Sequence, residues 1–376
     1  MNSAEILPSP EKVAQLRGLR ILFVSGFLPS NRVPSGGQKL VSRVLTDLAA
    51  NNKVTLLAFS NEREAEHLNH DDFRMCTQAK VFSIGRATRA YSALRHPGLP
   101  LVAAARYEVA QAWVRRAVAE QSYDLAWFEF IQCASLIPPL PGTLPTRLVV
   151  HDLFYQAHER KAARASGLAR AFWKREATRT RAWEARMISR ATEVVTLTEK
   201  DRSAAQELSG RSDIRVRYPD VDEIYHTIAR IRGPHISRGL ILFWGQMSRA
   251  ENEDAMVWFV REILPSIRRS RPHARLVIAG SHPGPAVRRL ACDHVEVTGF
   301  VPDPIPIFQA AEIAVAPLRL GAGIKIKVAE YIAAGIPTVV TSIGAEGIRP
   351  SRFLQVSDTA ASFSKICLSL IAPENG

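Results

Sequence analysis

Apolar residues in this chain gather into short runs, and the runs alternate with segments of helical spacing. The first run, RILFVSGF at 20–27, is followed by the turn-rich LPSNRVPSGG. In the next segment, QKLVSRVLTDLAANN, residues Leu40, Val41, Val44, Leu45 and Leu48 share one helical face. KVTLLAFS at 53–60 then reads as a second buried strand. Strand, loop, helix and strand form the unit of a parallel sheet. Runs at 124–131 (DLAWFEFI), 147–150 (RLVV) and 193–198 (EVVTLT) continue the pattern more loosely. A long basic helical stretch, 157 to 190, lies between the last two.

The pattern restarts with cleaner alternation. GLILFWG (239–245) predicts a strand, and 252–269 predicts a helix with Ala255, Met256, Phe259, Ile263 and Ile267 on one face. Strands follow at 274–280, 294–298, 312–318 and 337–342, with the helix KIKVAEYIAAG before the last of them. A chain of 376 residues suits two domains. The alternation predicts two Rossmann-like α/β domains, residues 1–216 and 217–376, with the boundary near RYPDVDEI at 217–224. In open parallel sheets ligands bind at the carboxyl ends of strands, so the chemistry is sought in the loops that follow them.

The richest such loop is in APLRLGAGIKIKVAEYIAAGIPTVVTSIGAEGI, residues 316–348. Gly321 and Gly323 permit a tight turn and the close approach of a ligand. The helix behind them starts with free N–H groups and a partial positive charge, a site for a diphosphate. Lys325 and Lys327 add formal charge, and Glu330 can accept two hydrogen bonds from a vicinal diol such as a ribose. Together these describe a nucleoside diphosphate. As plain structure, the same residues would be a shaped turn and a solvated helix end.

The whole stretch resembles the retaining GT-B glycosyltransferases of family 4, also called group 1, whose E-x7-E motif is followed by a small-residue G-x-P-V-V-x-T ending. Here Glu330 and AAGIPTVVT match the second acid and that ending. The first acid falls on Ala322, which matches a variant pattern, G-x-G-x-K-x-K-x-x-E, and puts recognition of the sugar in question rather than of the nucleotide. The resemblance implies α/β GT-B architecture, two Rossmann-like domains with parallel sheets facing across a cleft. The N-terminal half would bind the acceptor and the C-terminal half the nucleotide sugar, with the C-terminal helix a candidate to pack back on the N-terminal half. It further implies that Gly245 and Arg249 of LFWGQMSRAENEDAM take part in holding the diphosphate, although Gln246 stands where arginine is usual. Arg249 could equally be a surface cation, and Asn252 reads as a helix-start residue. TGFVPD (298–303) resembles the turn that contacts the base, through the backbone of Phe300 and Val301.

In the first half, Gly36 and Gly37 resemble the family's double-glycine loop beside the donor phosphates. His151, at the end of RLVV, matches a histidine that lies beside the transferred sugar and is the candidate catalytic residue; Asp152 after it can cap a helix. Thr198 and Glu199 resemble a donor or hinge contact, with helix capping by Thr198 as the other reading. Asp220 and Asp222 spell D-x-D but occupy the family's linker, so no metal site is expected, and no cofactor beyond the nucleotide-sugar co-substrate.

The net charge of +13 and a pI near 10 favour anionic partners, unless they reflect a generally basic proteome. Without a helix-turn-helix, zinc-finger or aromatic RNA-binding signature, nucleic acid is not expected. From 157 to 190, ten Lys or Arg face three acids, with Leu168, Phe172, Trp173, Trp183, Met187 and Ile188 interleaved. That composition suits an anionic membrane surface or a solvated helix packed on the sheet. The four cysteines form no metal-spaced pair. The start carries no apolar core of the signal-peptide kind. No apolar run reaches about 18 residues, and the longest, LPLVAAARYEVAQAWV, is interrupted by Arg106 and Glu108. The expectation is a cytoplasmic glycosyltransferase, peripheral on the inner face of the membrane, building cell-surface polysaccharide or glycolipid on a glycan or lipid-linked acceptor. The alternative is a nucleotide-binding GT-B protein without transfer activity, for which Ala322 and Gln246 speak. An NAD(P) enzyme is disfavoured, because no G-x-G-x-x-G follows the first strand.

Overall fold

The computed structural model of the protein describes residues 16–30, 36–62, 64, 68–137, 144–219, 221, 223–321 and 323–373. They fall into two compact units, the change coming after residue 219.

The first unit is a seven-stranded sheet of β1 (Arg20–Ser25), β2 (Lys53–Ser60), β3 (Gln78–Ser83), β4 (Leu125–Glu129), β5 (Thr146–Val150), β6 (Glu193–Thr196) and β7 (Arg215–Val216), in the order β3-β2-β1-β4-β5-β6-β7. All its pairings are parallel. Central strands covered on both faces need apolar side chains in both directions, and β1, β2 and β4 are buried almost throughout. The second unit repeats the plan with β8 (Leu240–Trp244), β9 (Arg275–Ala279), β10 (Val295–Gly299), β11 (Ile313–Ala316), β12 (Thr338–Val340) and β13 (Leu354–Val356), ordered β10-β9-β8-β11-β12-β13. These pairings too are parallel. In each sheet the strand order reverses once, between β1 and β4 and between β8 and β11. A crevice opens at such a switch point, outside the carboxyl ends of the strands.

The helices refine the expectations. The interrupted run at 99–114 belongs to the helix Leu101–Glu120, which lays Ala103, Ala104, Ala110, Val114 and Ala117 on the first core. No helix among the described residues is long and apolar enough to cross a membrane. The basic stretch is two helices, Phe154–Arg164 and Gly167–Arg190, parted where Gly167 takes a left-handed φ of 55°. Its apolar residues divide: Trp183, Met187 and Ile188 are core, while Leu168 and Phe172 are exposed. The cap of Phe154–Arg164 is Leu153, not Asp152, and the backbone N–H groups of Phe154 and Tyr155 donate to the buried Glu184 instead. Thr198 is a cap: its hydroxyl accepts from the backbone N–H of Asp201 and donates to the Asp201 carboxylate.

The helix expected over 252–269 runs from Ala250 to Ser270 with a wide π turn at Phe259–Ile263. Pro265 supplies no N–H to close an ordinary turn, and the helix widens just ahead of it. The helix Ala360–Leu370 is built into the second core through Phe363 and Cys367. Asp220 and Asp222 lie outside the described residues.

Candidate functional site

In the second unit, β8 ends at Trp244 and the chain turns through Gly245 to Arg249, the residue that caps the helix Ala250–Trp258. Next to it, β11 ends at Ala316 and runs through the glycine loop to Lys325, which caps the helix Ile326–Ala333. The two helix starts therefore flank the β8/β11 switch point. Gly323 holds a φ of 71°, a left-handed conformation that an L side chain resists. The Lys325 ammonium folds back to donate to the Gly323 carbonyl at 2.6 Å.

Lys327 takes another course. Its ammonium donates to the Asn252 carbonyl oxygen at 2.6 Å and sits 4.3 Å from the centre of the Phe243 ring. Asn252 in turn donates to the Gln246 carbonyl at 2.8 Å, so one amide ties the lysine to the loop after β8. A Cβ added at Gly245 would stand 2.7 Å from the Lys327 Nζ, which is why this position suits glycine. Burial lowers the Lys327 pKa to about 7; the charge of Glu251 opposes the fall, and those of Arg249 and Lys325 add to it. Such an ammonium is poorly compensated inside the protein, and a diphosphate would compensate it. Arg249 is exposed and lies 3.5 Å from Glu251. Glu330, partly buried, also bears electrostatically on Lys327.

Gly245, Arg249, Gly323, Lys325, Lys327 and Glu330 are thus grouped at one switch point. Phe300 and Val301 follow β10, at the edge of the same sheet. Phe300 is 60% exposed, and Val301 packs against the core. Ala322 lies outside the described residues. Asn252 lies at the helix start, as expected, and also has a tertiary partner. It sits three residues past the cap, only 3% exposed, and its side-chain oxygen accepts from Lys327.

Gly36 and Gly37 open the helix Gly36–Ala49, which belongs to the first unit from Gly37 onward. A Cβ at Gly37 would lie 3.6 Å from the Phe130 ring and 3.9 Å from the His151 Nδ1, so the glycine start borders the histidine. His151 follows β5, and its Nε2 lies 2.6 Å from the Glu129 Oε2 at the end of β4. Phe130 stacks on the imidazole, with ring centres 3.9 Å apart. The Phe130 backbone has a φ of 70°, a conformation that costs about 1–3 kcal/mol outside glycine and recurs at functional sites. The sequence reading passed over Glu129. Its signal was there, a lone acid closing an apolar strand run. Among the described residues no group of three His, Cys, Asp or Glu side chains is placed to hold a metal ion.

Residues 238–372 match the family model described as glycosyl transferases group 1. No curated protein matches the chain in sequence. Solved structures match it in fold. Sucrose-phosphate synthase from Thermosynechococcus elongatus is 16% identical with a TM-score of 0.65, covering 94% of this chain and 89% of that one. HepE of Anabaena, in complex with UDP and glucose, is 14% identical with a TM-score of 0.61, covering 93% and 89%. WaaG, a glycosyltransferase involved in lipopolysaccharide biosynthesis, is 16% identical with a TM-score of 0.60, covering 93% and 90%. The second unit is therefore a glycosyl transferases group 1 domain, and the chain, two Rossmann-like α/β units with parallel sheets, has the GT-B fold of glycosyltransferases.

Proposed function

We propose that the protein transfers a sugar from a nucleoside-diphosphate sugar to an acceptor hydroxyl, with retention of configuration as in family 4. The observation that carries this reading is the grouping of Gly245, Lys325, Lys327, Glu330 and two helix starts at the switch point of the second sheet, within the glycosyl transferases group 1 domain. In this reading Lys325, Lys327, Arg249 and the helix Ile326–Ala333 stabilise the diphosphate as it leaves. Glu330 accepts from the ribose diol, and the backbone at Phe300 and Val301 reads the base. Gly36 and Gly37 border the donor phosphates, and His151 serves the reacting sugar. HepE with bound UDP makes uracil the first base to test.

The acceptor is lipid-linked in this reading, within cell-surface glycan or glycolipid synthesis. Its support is the surface of the basic helix pair, where Leu168 is 91% and Phe172 49% exposed among arginines and lysines. Apolar side chains beside cations suit an anionic membrane.

The test is thermal melting with UDP, GDP, ADP and CMP. A ligand at about 100 times its Kd adds roughly 2.7 kcal/mol of stability. One nucleotide should raise the melting point of the wild type, and Glu330→Ala should weaken its binding more than tenfold. Unchanged affinity and turnover in that variant would remove Glu330 from the site. Nucleotide binding with no release of sugar from any donor would favour a binding protein without transfer activity, the reading that Gln246 supports.

A further inference from the structure

Glu129 is fully buried, and each of its two carboxylate oxygens has its own partners. Oε2 lies 2.6 Å from the His151 Nε2. Oε1 accepts from the Trp127 indole N–H at 2.8 Å and faces an Arg217 Nη2 at 3.7 Å. An ionised carboxylate only accepts hydrogen bonds, so the ring nitrogen facing it must carry a proton. In the neutral imidazole the other nitrogen, Nδ1, then holds a lone pair. The contacts around the ring hold it in this orientation. Phe130 covers one face, the imidazole is 7% exposed, and the Nδ1 edge looks toward Gly37, whose missing side chain leaves it open.

We infer that Glu129 is a positioning residue that fixes His151 as its Nε2–H tautomer, so that Nδ1 accepts a hydrogen bond from a hydroxyl of the sugar or acceptor. Placing that hydroxyl at His151 rests on the function proposed above; the tautomer does not. The ligand edge is thus an acceptor, selective for a hydroxyl over a carbonyl or an ether oxygen. The same geometry makes Glu129→Gln an inverting substitution. The Trp127 indole can only donate, and so can the Arg217 guanidinium, so both claim the glutamine carbonyl at the Oε1 position. The glutamine NH2 is left facing His151. Nε2 must then accept, and the proton moves to Nδ1, where the substrate hydroxyl finds a donor instead of a lone pair.

The experiment is two-bond proton–nitrogen correlation on the full chain labelled with 15N-histidine, at pH 8.5, with the His151 signal identified by its loss in His151→Asn. Wild type should show the Nε2–H form, and Trp127→Phe should keep it, since the carboxylate remains. Glu129→Gln should show the Nδ1–H form. Its kcat for release of nucleoside diphosphate from the donor selected by melting should fall at least tenfold, with the donor KM within about twofold. An Nδ1–H ring or an imidazolium in the wild type overturns the inference, whether or not Glu129→Gln folds, and so does a Glu129→Gln variant that keeps Nε2–H. If the tautomer inverts but kcat is unchanged in both Glu129→Gln and His151→Asn, the carboxylate device stands. The placement of His151 at the reacting sugar then fails, and the hydroxyl assignment with it.

Discussion

Lys327→Met is the sharpest probe of the second-unit site, since methionine keeps the length of the stem and removes the ammonium. One of the three lysine donors is taken by the Asn252 side-chain oxygen and the ammonium also sits over the Phe243 face, so at least one donor remains for a diphosphate. A hydrogen bond to a charged group is worth about 1.5–3 kcal/mol, so Lys327→Met should weaken donor binding at pH 7 by roughly 10- to 150-fold. The pH dependence is more telling. Burial has brought the pKa to about 7. The charged form that binds phosphate is therefore present below that value and is lost above it, while a bound diphosphate draws the pKa back up. Affinity should fall by up to about tenfold per pH unit well above neutrality, and by up to about 15-fold between pH 7 and 8.5. A nucleoside-diphosphate sugar is the ligand to use, because its bridged phosphates do not titrate in that range. Calorimetric titration of wild type and Lys327→Met at both pH values gives the answer. Folding stability moves the opposite way. Above pH 7 the unfolded lysine keeps a proton that the folded one has lost, so wild type gains about 1–2 kcal/mol over Lys327→Met from pH 7 to 8.5, allowing for solvent screening. Equal affinities at pH 7, or parallel pH profiles for the two proteins, would refute the placement of Lys327 on the diphosphate.

Gly245→Ala puts a methyl group 2.7 Å from the Lys327 ammonium. The lysine end is held by Asn252 and the Gly245 φ of 159° disfavours a side chain, so urea unfolding should show a stability loss of about 1–3 kcal/mol, while nucleotide affinity by calorimetry falls at least tenfold. Thr198→Ala removes the side-chain cap of the helix Glu199–Ser209; it should cost about 1 kcal/mol by denaturant titration and leave kcat untouched. The double change Leu168→Glu with Phe172→Glu should weaken association with phosphatidylglycerol vesicles at least tenfold in a flotation assay, without lowering the melting point, because both side chains are exposed.

The alternation of apolar runs and helical spacing was enough to predict two parallel α/β units, because β1, β2, β4, β8 and β9 are covered on both faces and must be apolar in both directions. The glycine loop and its lysines were equally legible, because they are consecutive residues of one local segment. Strands β3, β7 and β13 were not. They are polar or very short, and their place is set by the neighbour they pair with rather than by their own side chains. The break in the basic stretch at Gly167, and the division of its apolar residues between core and surface, were likewise settled by packing on the sheet.

Only the tertiary structure joined residues far apart in the chain. Asn252 reads locally as a helix start, and it becomes the partner of Lys327 only when β8 and β11 lie side by side. Glu129 ends β4 and His151 follows its neighbour β5, so strand pairing brings the two together. A sequence determines which segments must be buried and where the backbone can turn. Which polar group compensates which buried partner depends on strand order, and that order comes from the folded sheet.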